Sequence, residues 1–130
     1  MPENIFNNVI ISDTIKYNIS KGPFSDIIPF IPSMIFNKIK KENIEKIYLF
    51  GSYAYGKPNK NSDIDICIVI KKGLRRPNIA TKISTILREN NVVPSDLLVY
   101  RSKEFSEALK LYNIERAIIN KGILLYERTN

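Results

Sequence analysis

The segment from Gly51 to Asp65 constrains this chain more than any other part of its sequence. It begins with Gly-Ser directly after the apolar run 47–50, and it ends with Asp-x-Asp directly before the apolar run 66–70. Short apolar runs bounded in this way are typical of buried strands. Side chains two residues apart on a strand share a face, so we expect Asp63 and Asp65 to point the same way.

Two carboxylates on one face at the start of a strand favour a bound cation, because without one they repel each other. Mg²⁺ is held in proteins by one or two carboxylates together with substrate phosphates. A Gly-Ser turn that opens a short helix presents backbone N–H groups suited to those phosphates. The segment therefore predicts a metal-dependent nucleotide site.

Each half of this pattern has a plainer interpretation when it stands alone. Asp-x-Asp is most often a pair of solvated loop residues, and Gly-Ser after a strand is most often a turn. Other motifs are excluded by context: Ile-Cys-Ile-Val follows the acidic pair where an EF-hand needs glycine, and Pro58 follows Gly56-Lys57 where a Walker loop needs Ser or Thr. In haloacid dehalogenase-type phosphatases the apolar strand leads into Asp-x-Asp, whereas here it leaves the pair.

Composition narrows the chemistry further. The chain of 130 residues has room for one domain, and it contains no histidine, which excludes Ser-His-Asp triads and His-ligated zinc. The single Cys67 has no partner for an intrachain disulfide, and a buried structural thiol is the expected role. No apolar run reaches membrane length and no secretion signal is present, so we expect a cytoplasmic protein without a membrane partner.

The net charge of +7 comes from 20 basic and 13 acidic residues. A basic surface favours acidic or phosphate-bearing partners, although such a charge is common in soluble proteins. The basic residues cluster most clearly in the Gly-containing segment 71–76. This cluster is either a solvated turn or a nucleic-acid contact.

Periodicity and turn residues predict an α+β fold, a small mixed β-sheet flanked by helices with the site at one end of the sheet. We expect strands at 46–50, 63–70, 96–100 and 123–126, and helices at 33–43, through Tyr55, from Pro77 to about Asn90, 102–111 and 113–121. Residues 1–32 are proline-rich and form an N-terminal extension of unassigned role. Within it the alternation of Ile15, Tyr17 and Ile19 with polar residues predicts a short strand or hairpin.

Gly51-Ser52, ten residues, then Asp63-Ile64-Asp65 resembles the hallmark of minimal nucleotidyltransferases of the DNA polymerase β superfamily. The resemblance covers residues 33–130, taken as the nucleotidyltransferase domain, and implies a polymerase β-like core. It implies that Asp63, Asp65 and a third carboxylate, Asp96, are catalytic and hold the metal. It also implies that Gly51, Ser52 and Ser62 bind the nucleotide. Many relatives carry Arg after Gly-Ser, where this chain has Tyr53 and Tyr55.

The resemblance further implies two Mg²⁺ ions, replaceable by Mn²⁺, and ATP or another nucleoside triphosphate as substrate. Minimal members of this family are commonly antitoxins that place AMP on a tyrosine of a helical HEPN-type ribonuclease toxin. Two alternatives stay open. One is a catalytically inactive antitoxin that neutralises its partner by binding, and the other is a nucleic-acid-binding module that uses the basic segment.

Overall fold

A computed structural model describes residues 4–6, 9–11, 13–111 and 113–129, with side chains described from Ile15 onward. In chain order the elements are β1 (Asn4–Phe6), β2 (Val9–Ile11), α1 (Asp13–Asn18), α2 (Ile31–Phe36), β3 (Ile44–Phe50), α3 (Ser52–Tyr55), β4 (Ile64–Ile70), α4 (Arg76–Glu89), β5 (Ser95–Arg101), α5 (Ser102–Leu111), α6 (Asn113–Lys121) and β6 (Ile123–Glu127). Short 3₁₀ helices occupy Ile28–Phe30 and Lys41–Asn43. The predicted α+β class is confirmed.

The main sheet has four strands in the order β5-β4-β3-β6. Strand β3 is antiparallel to both of its neighbours, whereas β4 and β5 are parallel and are joined through α4. Strands β1 and β2 form a separate antiparallel pair. Because β4 and β5 run in the same direction, their first residues lie at the same end of the sheet, which is where the acidic residues are found.

The two faces of the sheet bury different side chains of the same strand. The isoleucines at 64, 66, 68 and 70 of β4 are fully buried in the main core, while Cys67 and Val69 belong to a second apolar cluster with Phe105 and Ile118. Helices α2 and α4 supply residues to the main core, and α5 and α6 supply residues to the second cluster. The side chains of β4 therefore alternate between the two faces of the sheet, as the sequence predicts for a strand. Asp65 is on the same face as Cys67 and Val69, which α5 and α6 cover.

The strand predicted around Ile15–Ile19 is wrong, because this part of the chain forms α1 and the turn after it. Tyr17 is 89% exposed, while its polar neighbour Lys16 is half-buried, the reverse of what a strand with a buried apolar face requires. Ile15 and Ile19 both pack into the main core, four residues apart on the helical path. Residues four positions apart share one face of a helix, and residues at this spacing also share one face of a strand. The spacing of Ile15 and Ile19 therefore suggested a strand although it belongs to a helical pattern.

The helix predicted at 33–43 begins two residues earlier and ends at Phe36. Pro32 lies in its first turn, which its fixed φ suits, and Ser33 is buried inside the helix and does not cap it. Lys40 has extended backbone (φ −62°, ψ 135°), and this interrupts the helical path before the 3₁₀ turn that leads into β3. The remaining helices and the strands of the main sheet lie within about two residues of their predicted positions.

The N-terminal segment also contributes to the main core. Ile28 and Ile31 are fully buried there, and Ile19 is nearly so. The domain boundary expected at residue 33 stays a prediction. No helix in the described ranges is long and apolar enough to cross a membrane.

Candidate active site

The Gly51-Ser52 turn lies directly against the carboxylate of Asp65. Gly51 has φ 72° and ψ −153°, a backbone conformation that is almost exclusive to glycine, and it directly precedes α3. A Cβ built on Gly51 would overlap Oδ2 of Asp65 and would lie 2.8 Å from its Cγ. The absence of a side chain at residue 51 therefore allows the turn and the carboxylate to share this space.

Strand pairing brings the acidic residues to one end of the sheet. Asp65 pairs with Phe50 across the antiparallel β3–β4 ladder and with Asp96 across the parallel β4–β5 ladder. Neighbouring strands are about 4.8 Å apart, so Asp65 and Asp96 are adjacent in one row. Asp63 comes one residue before β4, whose start is fixed by a 2.9 Å hydrogen bond from the Ile64 N–H to the Pro94 carbonyl. Strand pairing thus places Asp65 and Asp96 side by side, with Asp63 one residue before β4 at the same end of the sheet.

Electrostatics at this end of the sheet disfavour the ionised form of Asp65. Partial burial is the largest cause, followed by the charges of Asp96 and Asp63, and together they raise the pKa of the Asp65 carboxyl to about 6. Asp63 and Asp96 are exposed, whereas Asp65 is half-buried. A cation at this position would offset the repulsion among the three groups.

A divalent metal fits this donor set only in part. Within the described residues, no three carboxylate, thiol or imidazole groups converge closely enough to hold an ion by themselves. This arrangement suits Mg²⁺, which usually keeps waters and binds one or two carboxylates together with substrate phosphates. Asp63, Asp65 and Asp96 would then be the protein's share of a ligand set that a nucleotide completes.

The two predicted serines occupy different surroundings. Ser52 is the first residue of α3, and its carbonyl accepts a 2.9 Å hydrogen bond from the Gly56 N–H. Ser62 Oγ accepts a 2.8 Å hydrogen bond from the Asn59 N–H and so closes the turn that leads into Asp63. This contact gives Ser62 a structural task, while its contact with a nucleotide stays a prediction.

Tyr53 and Tyr55, the two tyrosines of α3, lie in different surroundings. Tyr55 is 45% exposed at the end of α3, whereas Tyr53 is fully buried in the main core. The Tyr53 carbonyl accepts a 2.7 Å hydrogen bond from the Ser20 N–H, and its hydroxyl oxygen accepts one of 3.2 Å from the Phe24 N–H. Sequence reasoning missed these contacts, because no local signal links Tyr53 to residues about thirty positions earlier.

The buried carboxylate of Glu115 lies on the α5–α6 side of the sheet. The Tyr100 hydroxyl donates a hydrogen bond to Oε2 of Glu115, and Oε1 of Glu115 is buried without a hydrogen-bond partner among the described residues. Burial, and then the charge of Glu115, raise the pKa of the Cys67 thiol to about 12. The thiol therefore stays protonated near neutral pH, in agreement with the expected structural role.

A cavity of about 1050 Å³ lies on the N-terminal segment, bordered by residues between Lys16 and Phe30. None of the six predicted site residues borders it. The carboxylate end of the sheet is therefore separate from this cavity, and Asp63 and Asp96 are exposed there.

The sequence family described as Polymerase beta, Nucleotidyltransferase matches residues 34–130. No curated protein matches the chain by sequence.

Three solved structures share the fold. A mutant of the toxin–antitoxin MntA–HpeT is 22% identical, covers 76% of this chain and 72% of its own, and has a TM-score of 0.55. A candidate nucleotidyltransferase from Sulfolobus solfataricus is 25% identical, covers 79% of both chains and has a TM-score of 0.53. A toxin–antitoxin structure with AMP-PNP is 27% identical, covers 76% of this chain and 72% of its own, and has a TM-score of 0.50.

Proposed function

This chain belongs to the polymerase β nucleotidyltransferase family, and we propose that it is an antitoxin that transfers AMP from ATP to a tyrosine of a HEPN-type ribonuclease toxin. One observation carries the proposal. Gly51 leaves space for the carboxylate of Asp65, which in turn lies in register with Asp96. A phosphate-binding turn and an acidic cluster therefore share one end of the sheet.

Each residue of the site has a task in this reaction. Gly51 lets the backbone approach the phosphates, and Ser52 offers them an N–H and a hydroxyl at the start of α3. Asp63, Asp65 and Asp96 would hold two Mg²⁺ ions, or Mn²⁺ in their place. When bound, these ions stabilise negative charge on the attacking and leaving oxygens of the displacement.

The chemical step replaces a phosphoanhydride bond of ATP by a phosphodiester bond to the acceptor. The tyrosine hydroxyl oxygen of the acceptor bonds to the α-phosphorus of ATP, the bond from that phosphorus to the bridging oxygen breaks, and pyrophosphate leaves. The phenolic proton needs an acceptor, and the exposed carboxylate of Asp96 would receive it as a general base. Asp63 and Asp65 would hold the metal ions during the step.

The open surroundings of the site favour a protein acceptor. A pocket for a small molecule normally buries most of its ligand, whereas Asp63 and Asp96 are exposed and the cavity on the N-terminal segment does not include them. A second chain would supply the missing wall. A related structure, 27% identical, is a toxin–antitoxin with AMP-PNP, which supports both a nucleotide substrate and a protein partner.

The test is co-expression of the chain with the product of the neighbouring gene, followed by mass spectrometry of that product. We expect the mass of this product to increase by roughly 329 Da, the mass of one AMP group attached to a tyrosine. The increase should be absent when the chain carries Asp63→Asn. Transfer to a small hydroxyl compound with an unmodified partner would contradict the protein acceptor. A tight complex without modification would favour the antitoxin that acts by binding alone.

One observation favours the alternative function of nucleic-acid binding. Lys71, Lys72, Arg75 and Arg76 are exposed in the segment that follows β4, at the end of the sheet opposite Asp65. Binding of RNA that needs no metal, and that weakens steeply with salt, would favour this alternative. Metal-dependent transfer of label from ATP would favour the enzyme.

A further inference from the structure

Helix α3, which follows the Gly51 turn, is too short to fix its own direction. It has four residues, and its N–H groups donate only a few bonds, from Ala54 and Tyr55 to the Gly51 carbonyl at 3.0 Å and from Gly56 to the Ser52 carbonyl at 2.9 Å. A single helical turn is unstable alone, because nucleation orders several residues for few hydrogen bonds. The direction in which Ser52 presents its N–H must therefore depend on tertiary contacts.

Those contacts come from residues 20–24, which we call the strap. The Ser20 and Phe24 N–H groups donate hydrogen bonds to the main-chain carbonyl and to the hydroxyl oxygen of Tyr53, at 2.7 and 3.2 Å. The side chain of Tyr53 is fully buried, and the bond to its hydroxyl is partly buried. The strap thus holds the residue next to Ser52 by its backbone and by its side chain.

Gly22, in the middle of the strap, packs against both Tyr53 and Pro58. A Cβ built on Gly22 would lie 2.9 Å from Cε1 of Tyr53 and 2.8 Å from Cγ of Pro58, closer than real Cβ atoms come to other atoms. Pro58 precedes the 59–62 turn, which is closed by hydrogen bonds between Asn59 and Ser62 and leads to Asp63. The strap therefore contacts the chain just after the Gly-Ser turn and again before the acidic pair.

We propose that the strap is a positioning element of the nucleotide site, and that Tyr53 is the positioning residue through which it orients the Gly51-Ser52 turn. This inference rests on the proposed function, since it assumes that the turn binds the phosphates of a nucleotide. It assigns a role to a part of the N-terminal extension. Asp65 and Asp96 are fixed separately by β4 and β5, so disturbing the strap should weaken nucleotide binding while these two carboxylates keep their places.

Two variants disturb the strap in different ways. Tyr53→Phe keeps the ring and removes only the oxygen that accepts the Phe24 N–H, and Gly22→Ala forces the strap away from Tyr53 and Pro58. Tyr100→Phe is the matched control, because it also removes a phenol hydrogen bond but lies on the other face of the sheet, at Glu115. All three are made in the full chain, and their melting temperatures are recorded alongside binding.

The measurement is the Kd of AMP-PNP in the presence of saturating Mg²⁺. For Tyr53→Phe we expect this Kd to rise about three- to tenfold, the scale of one lost hydrogen bond. We expect a larger rise for Gly22→Ala, because the added methyl group presses on Pro58 as well as on Tyr53. Tyr100→Phe should leave this Kd unchanged, even where it lowers the melting temperature.

The outcomes separate this inference from the proposed function. Failure of the unaltered chain to bind AMP-PNP at all would overturn the proposed function. Binding by the unaltered chain with the same Kd in Tyr53→Phe would overturn the role of the strap alone. An equal loss in Tyr53→Phe and Tyr100→Phe would also overturn it, because general destabilisation would then explain both. Should Gly22→Ala fail to fold, Tyr53→Phe still decides the question.

Discussion

Replacing Gly51 by alanine tests the geometry of the site most directly. At φ 72° and ψ −153°, any residue other than glycine is strained by roughly 1–3 kcal/mol. For a domain of this size, each 1 kcal/mol lost lowers the melting temperature by roughly 3–6 °C. The Gly51→Ala variant should therefore melt several degrees lower but remain folded at room temperature.

The effect on activity should be larger than the effect on folding. The added methyl group would overlap Oδ2 of Asp65, so either that carboxylate or the turn must move. A displacement of about 1 Å at a reacting centre can reduce the rate about 10²-fold, or about 2.7 kcal/mol of lost transition-state stabilisation. We expect a loss of nucleotidyl transfer of that order, measured as label moved from ATP in the presence of Mg²⁺.

Gly73 provides the matched control. Its φ is also positive, at 91°, but a Cβ built there meets no atom within 4 Å. Gly73→Ala should therefore lower the melting temperature through backbone strain and leave transfer unchanged. If Gly51→Ala kept most of its activity, or if both variants lost activity in parallel, the close approach of the turn to Asp65 would not be part of the mechanism.

The remaining predictions concern the carboxylates. Asp63→Asn and Asp65→Asn should abolish the rise in melting temperature produced by ATP with Mg²⁺, a rise expected by mass action for a ligand of the folded state. Without ligand, Asp65→Asn should melt no lower than the original chain, because it removes repulsion from Asp96 and Asp63; an unfolded variant would make the residue structural. Asp96→Ala should reduce transfer at least ~10²-fold while AMP-PNP binding, followed by calorimetry, persists. Intact transfer in Asp96→Ala would remove Asp96 from the mechanism.

The sequence predicted the sheet well, because its strands carry strong local signals. The isoleucines of β4 alternate with Asp65, Cys67 and Val69, and only one register of that pattern buries the isoleucines and leaves the carboxylate at the end of the sheet. The adjacency of Asp65 and Asp96 follows from a parallel β4–β5 pair, which the intervening helix indicates. Both features could therefore be predicted from the sequence of the strands and of the helix between them.

The N-terminal part could not be read in this way. Alternation around Tyr17 imitated a strand, although the contacts of Ile15 and Ile19 with the main core require a helix. Helix α2 ends at Phe36, directly before Asn37, a residue that often follows a helix, but the predicted helix continued past it to residue 43. In both places tertiary packing decided the structure, and the sequence pattern was consistent with more than one outcome.

The Gly51-Ser52 turn combines both kinds of information. The motif itself is local, but its conformation is supported from two directions by distant residues, Asp65 on one side and the strap acting through Tyr53 on the other. A four-residue helix cannot maintain that conformation alone, and a buried tyrosine with two hydrogen-bond partners can. Tyr53 faces inward and brings no charge to the turn, so the strength of phosphate binding here should depend on how firmly the turn is held.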